Sequence, residues 1–125
     1  MVELKFKERG GLLPAIAQDF ATGEILMQAF INEEAWQETL KTGRAVYFSR
    51  SRSKLWRKGE ESGNVQLVKE ILVDCDFDSV IFKVEQIGGA ACHTGHRSCY
   101  FNRLEGDTLV ECSEQVFDPE KVYKK

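Results

Sequence analysis

Three acidic residues and a cysteine share one short segment, Asp74-Cys75-Asp76-Phe77-Asp78. In an extended chain successive side chains point to opposite faces, so the three aspartates would share one face and Cys75 would point to the other. Adjacent carboxylates repel one another, and a hard cation such as Mg²⁺ relieves that repulsion. The segment is therefore a candidate cation site, and a solvated acidic turn is an equally good interpretation of the same pattern.

Two further cysteines, Cys92 and Cys99, bracket a segment that contains His93 and His96. Thiolates and imidazoles bind zinc, and three protein ligands with one position left for water form the usual catalytic site. Zinc held in that way makes hydroxide available near neutral pH. Reduced cysteines of a hydrophobic core are the alternative. His93 adjoins Cys92 and is the candidate proton shuttle, with an ordinary polar loop residue as its alternative.

The fourth cysteine, Cys112, separates two classes of function. As a fourth ligand it would close the site and leave no position for water, which describes a zinc-stabilised module that binds nucleotide or RNA without catalysis. We predict instead that it is not a ligand, which favours an enzyme. The chain shows no signal-peptide core and no apolar run that could span a bilayer, so we expect reduced cysteines in the cytoplasm rather than disulfides.

A basic segment, residues 49–59, alternates hydroxyl-bearing and cationic side chains. Such side chains bind phosphate oxygens through charge-assisted hydrogen bonds. Because the formal net charge of the whole chain is -3, this local positive charge favours a small phosphorylated ligand over a nucleic acid. A solvated basic loop is the alternative. The candidate substrate-binding residues are Arg50, Arg52, Lys54, Trp56, Arg57 and Lys58.

The elements that position these residues are mostly extended. Segments rich in β-branched and aromatic residues predict strands at residues 25–30, 45–49, 65–73, 80–84, 99–104 and 108–112. Asn32, two acidic residues after it and Gly43 predict one helix over residues 33–41. Gly88-Gly89 predicts a tight loop that brings Cys92 back toward Cys75.

These elements predict one domain over residues 1–125, of the α+β class. It is small and mainly antiparallel, with one clear helix. A chain of 125 residues has a modest core, and association into a homo-oligomer would bury more surface.

Over nearly its whole length the chain resembles the phosphoribosyl-AMP cyclohydrolase family. The matching blocks, in order, are LPAIAQD (13–19), GEILM (23–27), SRSR (49–52), LWRKGE (55–60), DCDFD (74–78), CHTG (92–95) and SC (98–99). Each block is short, but their common order makes the resemblance specific.

The resemblance implies a cytoplasmic, obligate-looking homodimer that shares zinc across its interface. It implies zinc ligands Cys75, Cys92 and Cys99, drawn from both subunits, and Mg²⁺ ligands Asp74, Asp76 and Asp78. It also implies the reaction: water adds at C6 of the N1-ribosylated adenine of phosphoribosyl-AMP and the N1–C6 bond breaks, the third step of histidine biosynthesis. The basic segment would then hold the two phosphates, and His93 would shuttle the proton. A related hydrolase of another purine or pterin nucleotide is a further alternative.

Overall fold

The computed structural model describes residues 3–92, 94–113 and 116. Within these ranges the chain forms one α-helix and eight strands. Their bounds are β1 (Leu13–Asp19), β2 (Ile25–Ile31), α1 (Glu33–Thr42), β3 (Val46–Ser49), β4 (Lys54–Arg57), β5 (Gln66–Val73), β6 (Val80–Gln86), β7 (Asn102–Glu105) and β8 (Thr108–Glu111). None of the helices in this part of the chain is long and apolar enough to cross a membrane.

Strands β1 to β6 form one mixed sheet in the order β4-β3-β2-β1-β6-β5. β1 and β6 run parallel, and the other neighbouring pairs are antiparallel. The N–H of Ala45 donates to the carbonyl of Gln66, and the N–H of Val68 donates to that of Gly43. The start of β5 is therefore tied to the segment before β3, which curves the sheet. The prediction of a small, mainly antiparallel α+β domain is confirmed.

The helix forms where its capping residues predict it. The side chain of Asn32 accepts the N–H of Ala35 at 2.8 Å, and Gly43 ends the helix in a left-handed conformation with its N–H on Thr39. Ala35 and Trp36 are buried against the sheet. The prediction of one helix at this place is confirmed, with Thr42 as its last residue.

The core lies on the sheet face covered by α1. In β1 the residues alternate between buried and half-buried, starting from a fully buried Leu13. This strand escaped prediction because it contains Pro14, and proline argues against a central strand. The structure admits it because pairing with the parallel strand β6 begins only at Ala15.

Two stretches differ from the predicted strands. Residues 99–104 were expected to be extended, but the strand begins only at Asn102, because Cys99 hydrogen-bonds through its N–H to Leu26 of β2. Strand β4 lies within the basic segment, where no strand was predicted. Among the described residues, β7 and β8 pair only with each other, and their side chains are exposed, with Leu104 at 69% and Leu109 at 65%.

Candidate metal-binding active site

The acidic segment forms the turn that joins β5 to β6. The carboxylate of Asp74 accepts the N–H groups of Asp78 at 2.9 Å and Ser79 at 3.2 Å, and Phe77 has a φ of 63°. The segment is thus not extended, and strand alternation does not group the carboxylates. The turn does: one oxygen each from Asp74, Asp76 and Asp78 lies within 4.8 Å of the others.

Two of the three carboxylates, those of Asp76 and Asp78, have shifted pKa values. Hydrogen bonds with Asp78 and then Asp74 raise the pKa of Asp76. The pKa of Asp78 is lowered, mainly by its hydrogen bond with Asp76, with help from Arg9, whose Nε lies 2.9 Å from the carboxylate. A cluster that ionises unevenly and offers only oxygen donors fits a hard divalent cation.

Cys92 and Cys99 bring their thiols together at the other metal-site candidate. Cys92 is buried, and the hydroxyl of Thr94 donates to its sulfur at 3.0 Å. The Cys99 residue is partly open to solvent. Even so, desolvation of its thiol, its contact with Cys92 and a hydrogen bond between the two thiols raise its pKa to about 12, and Lys58 opposes that rise. Two adjoining sulfurs beside a basic group are a donor set suited to zinc.

The loop between the two thiols is fastened to the β1–β2 hairpin. Arg97 donates through Nη2 to Asp19 and through Nε to Glu24, both at 2.5 Å. The hydroxyl of Ser98 donates to the carbonyl of Ile25 at 2.7 Å. These bonds fix the end of the loop that carries Cys99.

The remaining candidate ligands lie elsewhere. Across the described ranges, the only grouping of three or more metal-ligating side chains is the acidic one, so Cys75 is not gathered with Cys92 and Cys99 within one chain. The prediction that a glycine loop brings Cys92 close to Cys75 is therefore not seen within the described part of one chain. The Cys112 thiol donates to the carbonyl of Phe101 at 3.3 Å. His93 lies outside the described residues, and its role as proton shuttle stays a prediction.

His96 has a structural environment. Its ring stacks on Phe101 with centroids 3.6 Å apart, and Nδ1 lies 3.0 Å from the hydroxyl of Ser113. The residue is buried. These contacts hold the thiol loop against the start of the β7–β8 hairpin.

The basic segment divides between two surroundings. Arg52 and Lys54 are exposed, and the Arg50 guanidinium lies 4.2 Å from the centre of the Phe30 ring. Arg57 forms two hydrogen bonds to Glu38 of α1, at 2.5 and 2.8 Å, which raise its pKa. The phosphate-binding role predicted for these cations stays a prediction.

Trp56 and Lys58 lie close together, and Lys58 reaches the residue before Cys92. Trp56 is 38% exposed, and its ring tilts against that of Tyr47, with centroids 5.6 Å apart. Lys58 is buried and donates from Nζ to the carbonyl of Ala91 at 2.5 Å. Tyr47 has its pKa raised, first by burial and then by Cys99.

A buried polar chain continues from Tyr47. Its hydroxyl donates to Gln66 at 2.6 Å, Gln66 donates to Gln86 at 2.9 Å, and Gln86 donates to the carbonyl of Asn64 at 2.8 Å. Sequence reasoning missed these residues. The available signal was the polar glutamine near each of two apolar strands, because a buried amide needs a partner.

A family model described as phosphoribosyl-AMP cyclohydrolase matches residues 27–101. A protein of that name from Desulfatibacillum aliphaticivorans is 65% identical over 125 residues, which is 100% of both chains. One from Desulforapulum autotrophicum is 62% identical over 99% of this chain and 100% of its own. A third, from Geobacter metallireducens, is 55% identical over 100% of both. The chain belongs to the phosphoribosyl-AMP cyclohydrolase family.

Membership in the phosphoribosyl-AMP cyclohydrolase family confirms the resemblance read from the sequence blocks and makes the chain an enzyme of the hydrolase class. The range matched by the family model contains the acidic turn, the basic segment and both adjoining thiols. It ends at the residue before β7.

Proposed function

We propose that this chain catalyses the zinc-dependent opening of the adenine ring of phosphoribosyl-AMP, the third step of histidine biosynthesis, in the cytoplasm. Water adds at C6, the N1–C6 bond breaks, and the product is the formimino imidazole carboxamide ribonucleotide. The observation that carries the proposal is the 65% identity, over the full length of both chains, to a relative that bears the name of this activity. The mutual effect of the Cys92 and Cys99 thiols supports the zinc part. Zinc bound there would supply a Lewis acid that lowers the pKa of water.

The chain's own residues have distinct tasks. The half-exposed indole of Trp56 offers a face on which the purine stacks. The exposed side chains of Arg52 and Lys54, with Arg50 above Phe30, form the cationic surface for the two phosphates. His93, next to Cys92, carries the proton between water and the leaving nitrogen.

A homodimer completes the zinc site, with the partner's Cys75 as the third thiolate. Two features support this part of the proposal. The described part of one chain gathers only two of the three cysteines, and Cys75 is exposed on its turn. The β7–β8 hairpin also presents Leu104 and Leu109 to solvent, and an isolated hairpin with apolar side chains is stabilised when another surface covers it.

The acidic turn holds Mg²⁺ through Asp74, Asp76 and Asp78. Their grouped oxygens and uneven ionisation support this assignment. We expect Asp78→Asn to weaken Mg²⁺ binding and catalysis while zinc stays bound, because the turn and the adjoining thiols are separate sites. Metal content after dialysis checks this, and equal zinc loss in Asp78→Asn and Cys99→Ser would contradict the two-site assignment.

The reaction is tested by the ultraviolet absorbance change of phosphoribosyl-AMP on ring opening. Activity should disappear when zinc is chelated and return when zinc is added back. Cys99→Ser should lose both zinc and activity, and Cys112→Ser is the matched control that keeps both, because its thiol bonds to Phe101 rather than to another cysteine. A folded, zinc-loaded protein without ring-opening activity would refute the proposal.

The shared site is tested by mixing two inactive subunits, one with Cys75→Ser and one with Cys99→Ser. In a mixed dimer one site then has all three cysteines, so random association should restore roughly a quarter of the wild-type activity. Neither variant should recover alone. No recovery on mixing, with mixed dimers shown to be present, would place all zinc ligands in one chain.

A further inference from the structure

Lys58 is the buried member of the basic segment. It is 4% exposed, whereas Arg50, Arg52, Lys54 and Arg57 are exposed. Long cationic side chains normally keep their charged end in water, because burying it costs free energy. A lysine that reaches inward therefore has a specific partner inside, and that partner is the carbonyl of Ala91, the residue before Cys92.

We propose that Lys58 is a positioning residue of the metal site, which holds the main chain at Ala91 and so fixes Cys92 beside Cys99. The inference rests on the proposed zinc function and assigns Lys58 a role other than phosphate binding.

The main chain around Lys58 is itself rigid. Its N–H donates to the carbonyl of Ala45. The next residue, Gly59, has a φ of 87°, and a Cβ there would lie 2.3 Å from the main-chain nitrogen of Val65. Only glycine fits this close approach. The amino group of Lys58 thus reaches the thiol loop from a fixed base.

The loop that Lys58 holds needs an external anchor. Gly88 and Gly89 precede Ala91 with φ values of 81° and 76°, and glycine leaves the main chain free to turn. Ala91 is buried, and both of its main-chain polar groups are hydrogen-bonded. Its N–H donates to the main-chain carbonyl of Arg97, and its own carbonyl accepts from the amino group of Lys58. Loss of the second bond leaves a buried carbonyl without its donor.

The surroundings of the amino group exclude an open phosphate site. The Trp56 ring centre lies 5.3 Å from Nζ. Burial lowers the pKa of Lys58, and Cys99 and Cys92 oppose that effect. The amino group lies between the Trp56 indole and the Ala91 carbonyl, to which it donates.

The test compares Lys58→Met with Lys54→Met in the full-length protein. Zinc affinity is measured by competition with a chromophoric chelator. Lys58→Met should weaken zinc binding about 10-fold to 100-fold, as expected when a residue that supports a ligand is lost. Lys54 lies in the same basic segment but is exposed, so its variant should bind zinc like the wild type. Lys58→Arg keeps a donor for Ala91 and should bind zinc more tightly than Lys58→Met.

Thermal unfolding of the metal-free proteins provides the second readout. The unpaired Ala91 carbonyl costs about 1–3 kcal/mol, and removal of the buried charge offsets part of that cost, so the unfolding temperature should fall by no more than about 10 °C. A large fall, or a variant that does not fold, would show a general structural role and overturn the inference. Unchanged zinc affinity with a raised KM for phosphoribosyl-AMP would also overturn it, in favour of phosphate binding. A wild-type protein that binds no zinc would instead refute the proposed function.

Discussion

Asp19 and Glu24 accept hydrogen bonds from the same arginine, and replacing each by its amide should have very different effects. The Asp19 side chain is 12% exposed and that of Glu24 is 43% exposed. The carboxylate of Asp19 also accepts the N–H groups of Ala21 and Thr22, at 2.8 and 2.9 Å, through its other oxygen. We expect Asp19→Asn to destabilise the protein clearly and Glu24→Gln to be nearly neutral.

The magnitudes follow from which bonds survive. In Asp19→Asn the new side-chain amide can still accept from Ala21 and Thr22, but its NH₂ group faces the guanidinium of Arg97, so one charge-assisted bond is lost. Such a bond contributes about 1.5–3 kcal/mol, and its position near solvent places it toward the lower end, at about 1.5–2 kcal/mol. In Glu24→Gln the side chain keeps an oxygen for Arg97, and an exposed pair of this kind contributes about 0.5 kcal/mol.

The effect of Asp19→Asn should also depend on pH. The N–H of Thr22 is the largest cause that lowers the pKa of Asp19 from its ordinary value of 3.8, and Arg97 and Ala21 add to it. Because the pKa in the folded state is depressed, the carboxylate contributes its full stability above the unfolded value. That contribution is lost as the pH falls through the folded value. The difference between wild type and Asp19→Asn should be constant from about pH 5 to 8 and shrink in stronger acid.

Urea unfolding of metal-free, reduced protein measures both variants, with stability taken from the transition midpoint and slope. Equal destabilisation by Asp19→Asn and Glu24→Gln would refute the assignment of Asp19 as the main anchor of Arg97. A stability difference that grows in acid would refute the direction of the pKa shift.

Two further changes test the packing behind the site. At Gly88, where φ is 81°, a Cβ would lie 1.8 Å from Oδ1 of Asn64. Gly88→Ala should therefore lower the free energy of unfolding by about 1–3 kcal/mol. Gly106→Ala is the control for backbone strain alone, because φ there is 62° and its Cβ would meet nothing within 4 Å. Tyr47→Phe should lower the free energy of unfolding in urea by about 1–3 kcal/mol, because it leaves the buried side-chain oxygen of Gln66 without its donor. A change below about 0.5 kcal/mol would contradict the importance of that hydrogen bond.

Local signals were sufficient for the helix and for most strands. The caps of α1, Asn32 and Gly43, lie within a few residues of the groups they satisfy. Strand β1 could not be predicted in the same way, because its place as a central strand depends on pairing with β6, which lies far along the chain and begins only after Pro14, at Ala15. The same limit hid the polar chain of Tyr47, Gln66 and Gln86, whose partners lie 19 and 20 residues apart in sequence.

The acidic segment was predicted correctly as a group for a different physical reason. Alternation along a strand would have aligned the aspartates, but a hydrogen-bonded turn with Phe77 in a left-handed conformation gathers them instead. Residue types that repel one another indicated a cation site whichever local conformation brought them together. The grouping of the carboxylates is therefore confirmed, and the cation that they would bind stays a prediction.

In the basic segment, composition indicated a group of cations, but the position of each cation on or beside β4 decides what it contacts. Successive side chains of a strand point to opposite faces. Arg57, the last residue of β4, reaches Glu38 on the helix, whereas Lys58 just after it reaches the carbonyl of Ala91. No strand was predicted in the basic segment, and composition alone makes all of its cations equivalent. The structure separates a cation that hydrogen-bonds to α1 from one that hydrogen-bonds to the main chain beside Cys92, and the phosphate-binding role of the exposed cations around them stays a prediction.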